Sequence, residues 1–192
     1  MNLANRITVA RVILVPFVMI FLLVPTPGWG WQVAGGWISG GSLIATVIFI
    51  VASATDTLDG YIARKRNLIT NFGKFMDPLA DKLLVSTALI SLVAINRVPA
   101  WIVIIMIGRE FAVTGLRSVA SAAGTVIAAS WFGKWKTVAQ MVAIVLLMLN
   151  NFPFTYINFP MDQVMLYVAA LLTLLSGFDY FYKNRHAIRA DE

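Results

Sequence analysis

Four of the nine acidic residues in this chain, Asp56, Asp59, Asp77 and Asp81, fall within a stretch of 26 residues, at the ends of two strongly apolar runs. Asp56 and Asp59 are three apart, and Gly60 and Ala63 follow Asp56 at four and seven. On a helix this spacing makes one acidic and otherwise nearly bare face. Asp77 and Asp81 are four apart, with Gly73 one turn before them, so the next helix also presents paired carboxylates over a small residue. A short connection makes the two helices antiparallel neighbours whose acidic faces converge. Four hard oxygen donors closing on one point, without sulfur or imidazole, suit Mg²⁺ or Mn²⁺. A charge at the bilayer centre costs about 2.5 to 3.5 kcal/mol, so four uncompensated carboxylates would cost on the order of 10 kcal/mol. The competing reading pairs them with Arg64, Lys74 and Lys82 as helix-end ion pairs. It suits any one aspartate better than four at these offsets.

The elements that hold these residues are apolar throughout. Of 192 residues 59% are hydrophobic and only 12% charged, with mean hydropathy +0.81, against about 25% charged in a soluble domain. That is enough apolar chain for five or six spans of about 20 residues. The runs are Thr8 to Val24, Ser42 to Ala63, Phe75 to Ile95, Trp101 to Ala122, Thr137 to Leu149 and Val164 to Phe181. The first reads as a retained span, since no small-x-small cleavage site follows at once. The linker Gly28 to Gly41, rich in Gly and Trp and free of charge, suits an interfacial loop. Pro78 is expected in a first helical turn, where proline is tolerated.

Assigned to alternating sides, the loops separate the charges. Arg6, the Arg64 to Lys74 loop, the Lys134 loop and the tail from Lys183 to Arg189 share one side, and Arg97 stands on the other. The positive-inside rule then makes both termini cytoplasmic and the number of spans even. The expectation is an all-α integral membrane protein: six transmembrane helices, one catalytic domain over residues 1–192, in the cytoplasmic membrane with its site facing the cytosol. The chain has no cysteine and one histidine, His186 in the polar tail. Disulfide frameworks, thiolate metal sites and histidine-rich metal sites are thereby excluded.

Written out, the pattern is Asp56-x2-Asp59-Gly60-x2-Ala63-Arg64-x8-Gly73-x3-Asp77-x3-Asp81. It resembles the signature of the CDP-alcohol phosphotransferase family at every fixed position. The resemblance implies six transmembrane helices, a homodimer, and attack by an alcohol hydroxyl on a CDP-linked phosphoryl group with release of CMP. It implies that Asp56, Asp59 and Asp77 bind metal, and that Asp81 also lies at the metal site and acts as general base. Two ions about 4 Å apart would bridge the diphosphate. Gly60 lets substrate or a neighbouring helix approach the backbone, Ala63 keeps the nucleotide side open, and Arg64 contacts phosphate. With Gly73 and Thr8 these form the set expected to bind CDP-diacylglycerol.

The acceptor is read from cations in and after the fourth run. Arg109 and Arg117 are eight apart, and Lys134 and Lys136 follow. With Arg11 they are the candidates for a second phosphate, on the acceptor. The alternative is that Arg109 pairs with Glu110 or an Asp and the lysines merely obey the positive-inside rule; for Thr8 and Arg11 it is a capping threonine beside a snorkelling arginine. The segments Gly108 to Phe111, Gly115 to Arg117, Gly133 to Gln140 and Asn2 to Arg11 are similar to those of the branch of the family that makes phosphatidylglycerophosphate in bacteria. That resemblance implies CDP-diacylglycerol as donor and sn-glycerol 3-phosphate as acceptor. Within the family, phosphatidylglycerol (a cardiolipin synthase) and inositol phosphate are the rival acceptors. A divalent-cation transporter is the rival from another class, but it would place its carboxylates at mid-depth and usually in repeated halves. Membrane lipids are expected partners, the basic tail contacting anionic headgroups, and nucleic acid is not.

Overall fold

The computed structural model describes residues 3–33, 36–65, 71–122 and 131–183, with the side chains among them except 3, 4, 56–65, 71, 72, 74, 75 and 122. Six α-helices carry the fold: α1 (Leu3–Leu23), α2 (Gly40–Lys65), α3 (Asn71–Ala94), α4 (Ala100–Ala122), α5 (Trp131–Met148) and α6 (Met161–Lys183). At 1.5 Å per residue, even the 18-residue α5 is about 27 Å long. Two of the helices, over Asn5–Leu23 and Met161–Lys183, are long and apolar enough to cross a membrane by composition alone. The others have similar length but carry their charges inside the helix, as Asp77, Asp81 and Lys82 do in α3 and Arg109, Glu110 and Arg117 in α4.

Helix α1 packs against α2 and α3, α6 against α5 and α4. Small residues let the helices approach closely: Ala45 and Ala52 on α2, Ala88 on α3, Ala143 on α5 and Ala169 on α6 are almost fully buried. Phe49, Leu84, Leu92, Ile102, Met106, Ile144 and Leu166 fill the spaces between them. Equally large apolar side chains face outward, among them Ile13, Ile50, Ile104, Leu171 and Phe178. A helix that is apolar on every side is suited to a lipid surround, and interfaces rich in small residues are how such helices pack.

The helix ends have identifiable causes. Ser39 caps α2 by accepting the Ser42 amide at 3.1 Å. At the end of α3 the Arg97 and Asn96 amides turn back to the Leu92 and Val93 carbonyls, and at the end of α5 Asn151 and Asn150 do the same to Leu146 and Leu147. Both are Schellman closures, with asparagine in the left-handed position usually held by glycine (Asn96 φ 58°, Asn150 φ 52°).

Three expectations from the sequence need correction. The segment after α1 contains an antiparallel hairpin, β1 (Gly30–Val33) with β2 (Gly36–Ser39), in place of an irregular loop. Trp31 on it packs against Phe152, from the loop that joins α5 to α6, with ring centroids 5.0 Å apart and the rings tilted by 52°. Helix α5 begins at Trp131, six residues before the apolar run, so Lys134 and Lys136 lie on a helix and not in a loop. Pro78 lies in the interior of α3, which begins at Asn71, and leaves the carbonyl one turn earlier without its usual amide partner.

Candidate active site

The last turns of α2 carry Asp56, Asp59, Gly60, Ala63 and Arg64, whose side chains lie outside the described residues. The other half of the acidic quartet is described. Asp77 and Asp81 sit in the first half of α3, both partly exposed, and Gly73 is buried one turn before Asp77. Among the described residues no three acidic or histidine side chains come together as a metal cluster, and two of the four carboxylates are outside that search.

Helix α1 supplies a polar edge. Asn5, Thr8 and Arg11, spaced three apart, are all buried, Thr8 and Arg11 almost completely (0% and 1% exposed). Thr8 Oγ1 donates to Asp77 Oδ1 at 2.5 Å, joining α1 to α3. The hydroxyl expected on a donor phosphate is thus held by one of the expected metal ligands.

On the far side of Asp81 lies a cleft of about 750 Å³, open to solvent, with Asp81, Lys82, Arg109, Glu110, Thr114 and Arg117 in its walls. A smaller cavity of about 50 Å³ shares Asp81, Lys82 and Glu110 and is closed by Lys136 and Gln140. Of the cations expected to hold a second phosphate, Arg109 and Arg117 line the cleft with Asp81, and Lys136 lines the smaller cavity with it. Lys134 is exposed on α5 and lines neither cavity, and Arg11 is buried on α1.

Glu110 organises this cluster. Its Oε1 accepts from buried Lys136 on α5 and lies 3.3 Å from Arg109 Nη1. Arg109 also donates to Ser176 on α6, and Lys82 on α3 donates to Thr114 on α4. Arg109 thus forms the intrahelical pair that the sequence left open as an alternative. Lys136 is neutralised by the same carboxylate, which suits a buried charge. The contribution of Glu110 was missed from sequence, since its partner Lys136 is 26 residues away and no local spacing marks the pair.

The arrangement combines a carboxylate pair on α3 with a solvent-open cleft lined on its opposite wall by two guanidinium groups. Arg117 is exposed at the cleft wall, where a planar fork can bind a phosphate through two parallel hydrogen bonds. Such a cleft can take an anionic ligand and place it beside Asp81.

Comparisons with known proteins agree with this chemistry. The family model described as CDP-alcohol phosphatidyltransferase matches residues 1–175. A CDP-diacylglycerol–glycerol-3-phosphate 3-phosphatidyltransferase from Bacillus subtilis is 51% identical over 188 residues, covering 98% of this chain and 97% of its own. The protein of the same name from Haemophilus influenzae is 40% identical, covering 93% and 91%, and that from Rickettsia bellii is 34% identical, covering 94% and 93%. With a family model spanning most of its length and relatives this similar from end to end, the chain belongs to the CDP-alcohol phosphatidyltransferase family.

Proposed function

We propose that this protein transfers the phosphatidyl group of CDP-diacylglycerol to sn-glycerol 3-phosphate, giving phosphatidylglycerophosphate and CMP in phospholipid synthesis. The observation that carries the reading is the end-to-end similarity to phosphatidyltransferases of that specificity. The cleft adds physical support, because an acceptor that already bears a phosphate needs cations beside the base, and Arg109 and Arg117 line the cleft with Asp81. Lys136, held by Glu110, Lys134 and Arg11 complete the set of cations read as serving that phosphate.

Asp77 and Asp81 on α3 offer oxygen donors only, as do Asp56 and Asp59 in the last turns of α2. That donor set fits a hard divalent cation, Mg²⁺ or Mn²⁺. Asp56, Asp59, Asp77 and Asp81 would hold it, two ions in the reading proposed here. When bound, it polarises the diphosphate and stabilises charge on the departing CMP oxygen. Gly60, Ala63, Arg64 and Gly73 border the nucleotide and its phosphates. The acceptor hydroxyl oxygen attacks the phosphorus that carries diacylglycerol. The bond from that phosphorus to the CMP oxygen breaks, and the hydroxyl proton passes to the Asp81 carboxylate. Carboxylates as a class are weak bases, so the contribution of Asp81 depends on being positioned beside the hydroxyl.

The six helices are proposed as six transmembrane spans of a single domain, with both termini and the cleft cytoplasmic, so that soluble acceptor enters from the cytosol while the acyl chains stay in the bilayer. The protein is proposed to work as a homodimer in the cytoplasmic membrane. Labelled CDP-diacylglycerol offered with glycerol 3-phosphate, phosphatidylglycerol or inositol phosphate, each separately, tests the acceptor. Labelled phosphatidylglycerophosphate from glycerol 3-phosphate alone is expected, and product only with inositol phosphate would overturn the assignment.

A further inference from the structure

We infer that Thr8 is a positioning residue for the metal site: its hydroxyl fixes the Asp77 carboxylate in the orientation that binds a divalent cation. The inference rests on the metal reading proposed above. Its basis is the hydrogen bond from Thr8 Oγ1 to Asp77 Oδ1, 2.5 Å long and between residues 69 apart in sequence.

A helical threonine ordinarily returns its hydroxyl proton to a carbonyl of its own helix. Thr46, Thr55, Thr114, Thr137 and Thr173 all do so here. Thr8 donates across the contact between α1 and α3, from a position with no exposure. An ionised carboxylate only accepts hydrogen bonds, so in this bond the proton comes from Thr8. Bonds of this kind, from a neutral hydroxyl to a charged oxygen, are short and strong.

A β-branched side chain has few χ1 choices in a helix, which makes the donor rigid. A carboxylate has about four lone-pair sites, so accepting this bond leaves it able to bind a cation while settling the plane in which it does so. Outer partners that orient metal ligands in this way typically change metal affinity by about 10- to 100-fold when removed.

Substrate-free titration of the purified full-length protein with Mn²⁺, followed by electron paramagnetic resonance, tests the inference. Thr8→Val keeps the shape and removes the donor, Thr8→Ala removes it with a smaller side chain, and Thr8→Ser restores it. The two donorless variants are expected to bind Mn²⁺ about 10- to 100-fold more weakly, with Thr8→Ser close to wild type. Melting in EDTA identifies which variants are folded, and either folded donorless variant suffices. Mn²⁺ affinity within twofold of wild type in a folded donorless variant overturns the inference and returns Thr8 to the donor phosphate. So does an equal loss in Thr8→Ser. If the wild type itself binds no Mn²⁺, the metal reading fails and takes this inference with it, a result distinct from equal binding by wild type and variant.

Discussion

Asp81 is shared by the two cavities on the cleft side of α3, and the proposed chemistry asks it to receive a proton there. Positioned general bases contribute about 10²- to 10⁴-fold. Asp81→Asn is therefore expected to lower CMP release at least 100-fold with an unchanged melting temperature, and a loss under tenfold would remove Asp81 as base. Glu110 is expected to matter for a different reason. Breaking a buried pair by removing one partner leaves an uncompensated charge, at about 3 to 5 kcal/mol. Glu110→Gln alone, which strands buried Lys136, should thus lower the melting temperature more than Glu110→Gln combined with Lys136→Met. Equal loss in both proteins would show that the pair is not coupled. The α3 carboxylates were legible in sequence because their offset of four is a local helical signal. The Glu110 and Lys136 pair was not, because it forms only when α4 meets α5.

At the scale of elements, close approach between α1 and α2 is set by glycine. A Cβ on Gly41 would collide with the Phe21 carbonyl oxygen, whereas one on Gly115 in α4 would meet nothing within 4 Å. Gly41→Ala is expected to destabilise the protein by roughly 1 to 3 kcal/mol, as overpacking does. Gly115→Ala should be neutral or stabilising, since alanine is the better helix former. Thermal melting of the two variants checks both, and equal melting temperatures would contradict this account of the helix contact. All six helices were legible as apolar runs, with ends within a few residues at α4 and α6. The start of α5 was missed because its first turns are Trp131-Phe132-Gly133-Lys134-Trp135-Lys136, and charge there ends an apolar run without ending a helix. The β1–β2 hairpin was missed because Gly30 to Ser39 lacks the polar and apolar alternation that marks a half-buried strand.

At the scale of the whole molecule, the proposed six-span topology rests on charge placement, and the absence of cysteine makes it directly testable. Single cysteines replacing Pro99 and Tyr156 should react with an impermeant maleimide from outside right-side-out vesicles. Those replacing Trp131 and Lys183 should react only after permeabilisation. Labelling of all four from one side would contradict six spans. Among the described residues two helices are long and apolar enough to cross a membrane, because the others carry charge within the helix, as Lys82 does in α3 and Glu110 in α4. The central claim, that those charges hold a metal ion and transfer a phosphatidyl group, is tested most directly by CMP release from purified protein given CDP-diacylglycerol and glycerol 3-phosphate. The account predicts equimolar CMP and phosphatidylglycerophosphate with Mg²⁺ or Mn²⁺, none after EDTA, and recovery when the metal is restored. Turnover that persists undiminished in EDTA, or folded protein that releases no CMP with metal and both substrates present, would contradict it.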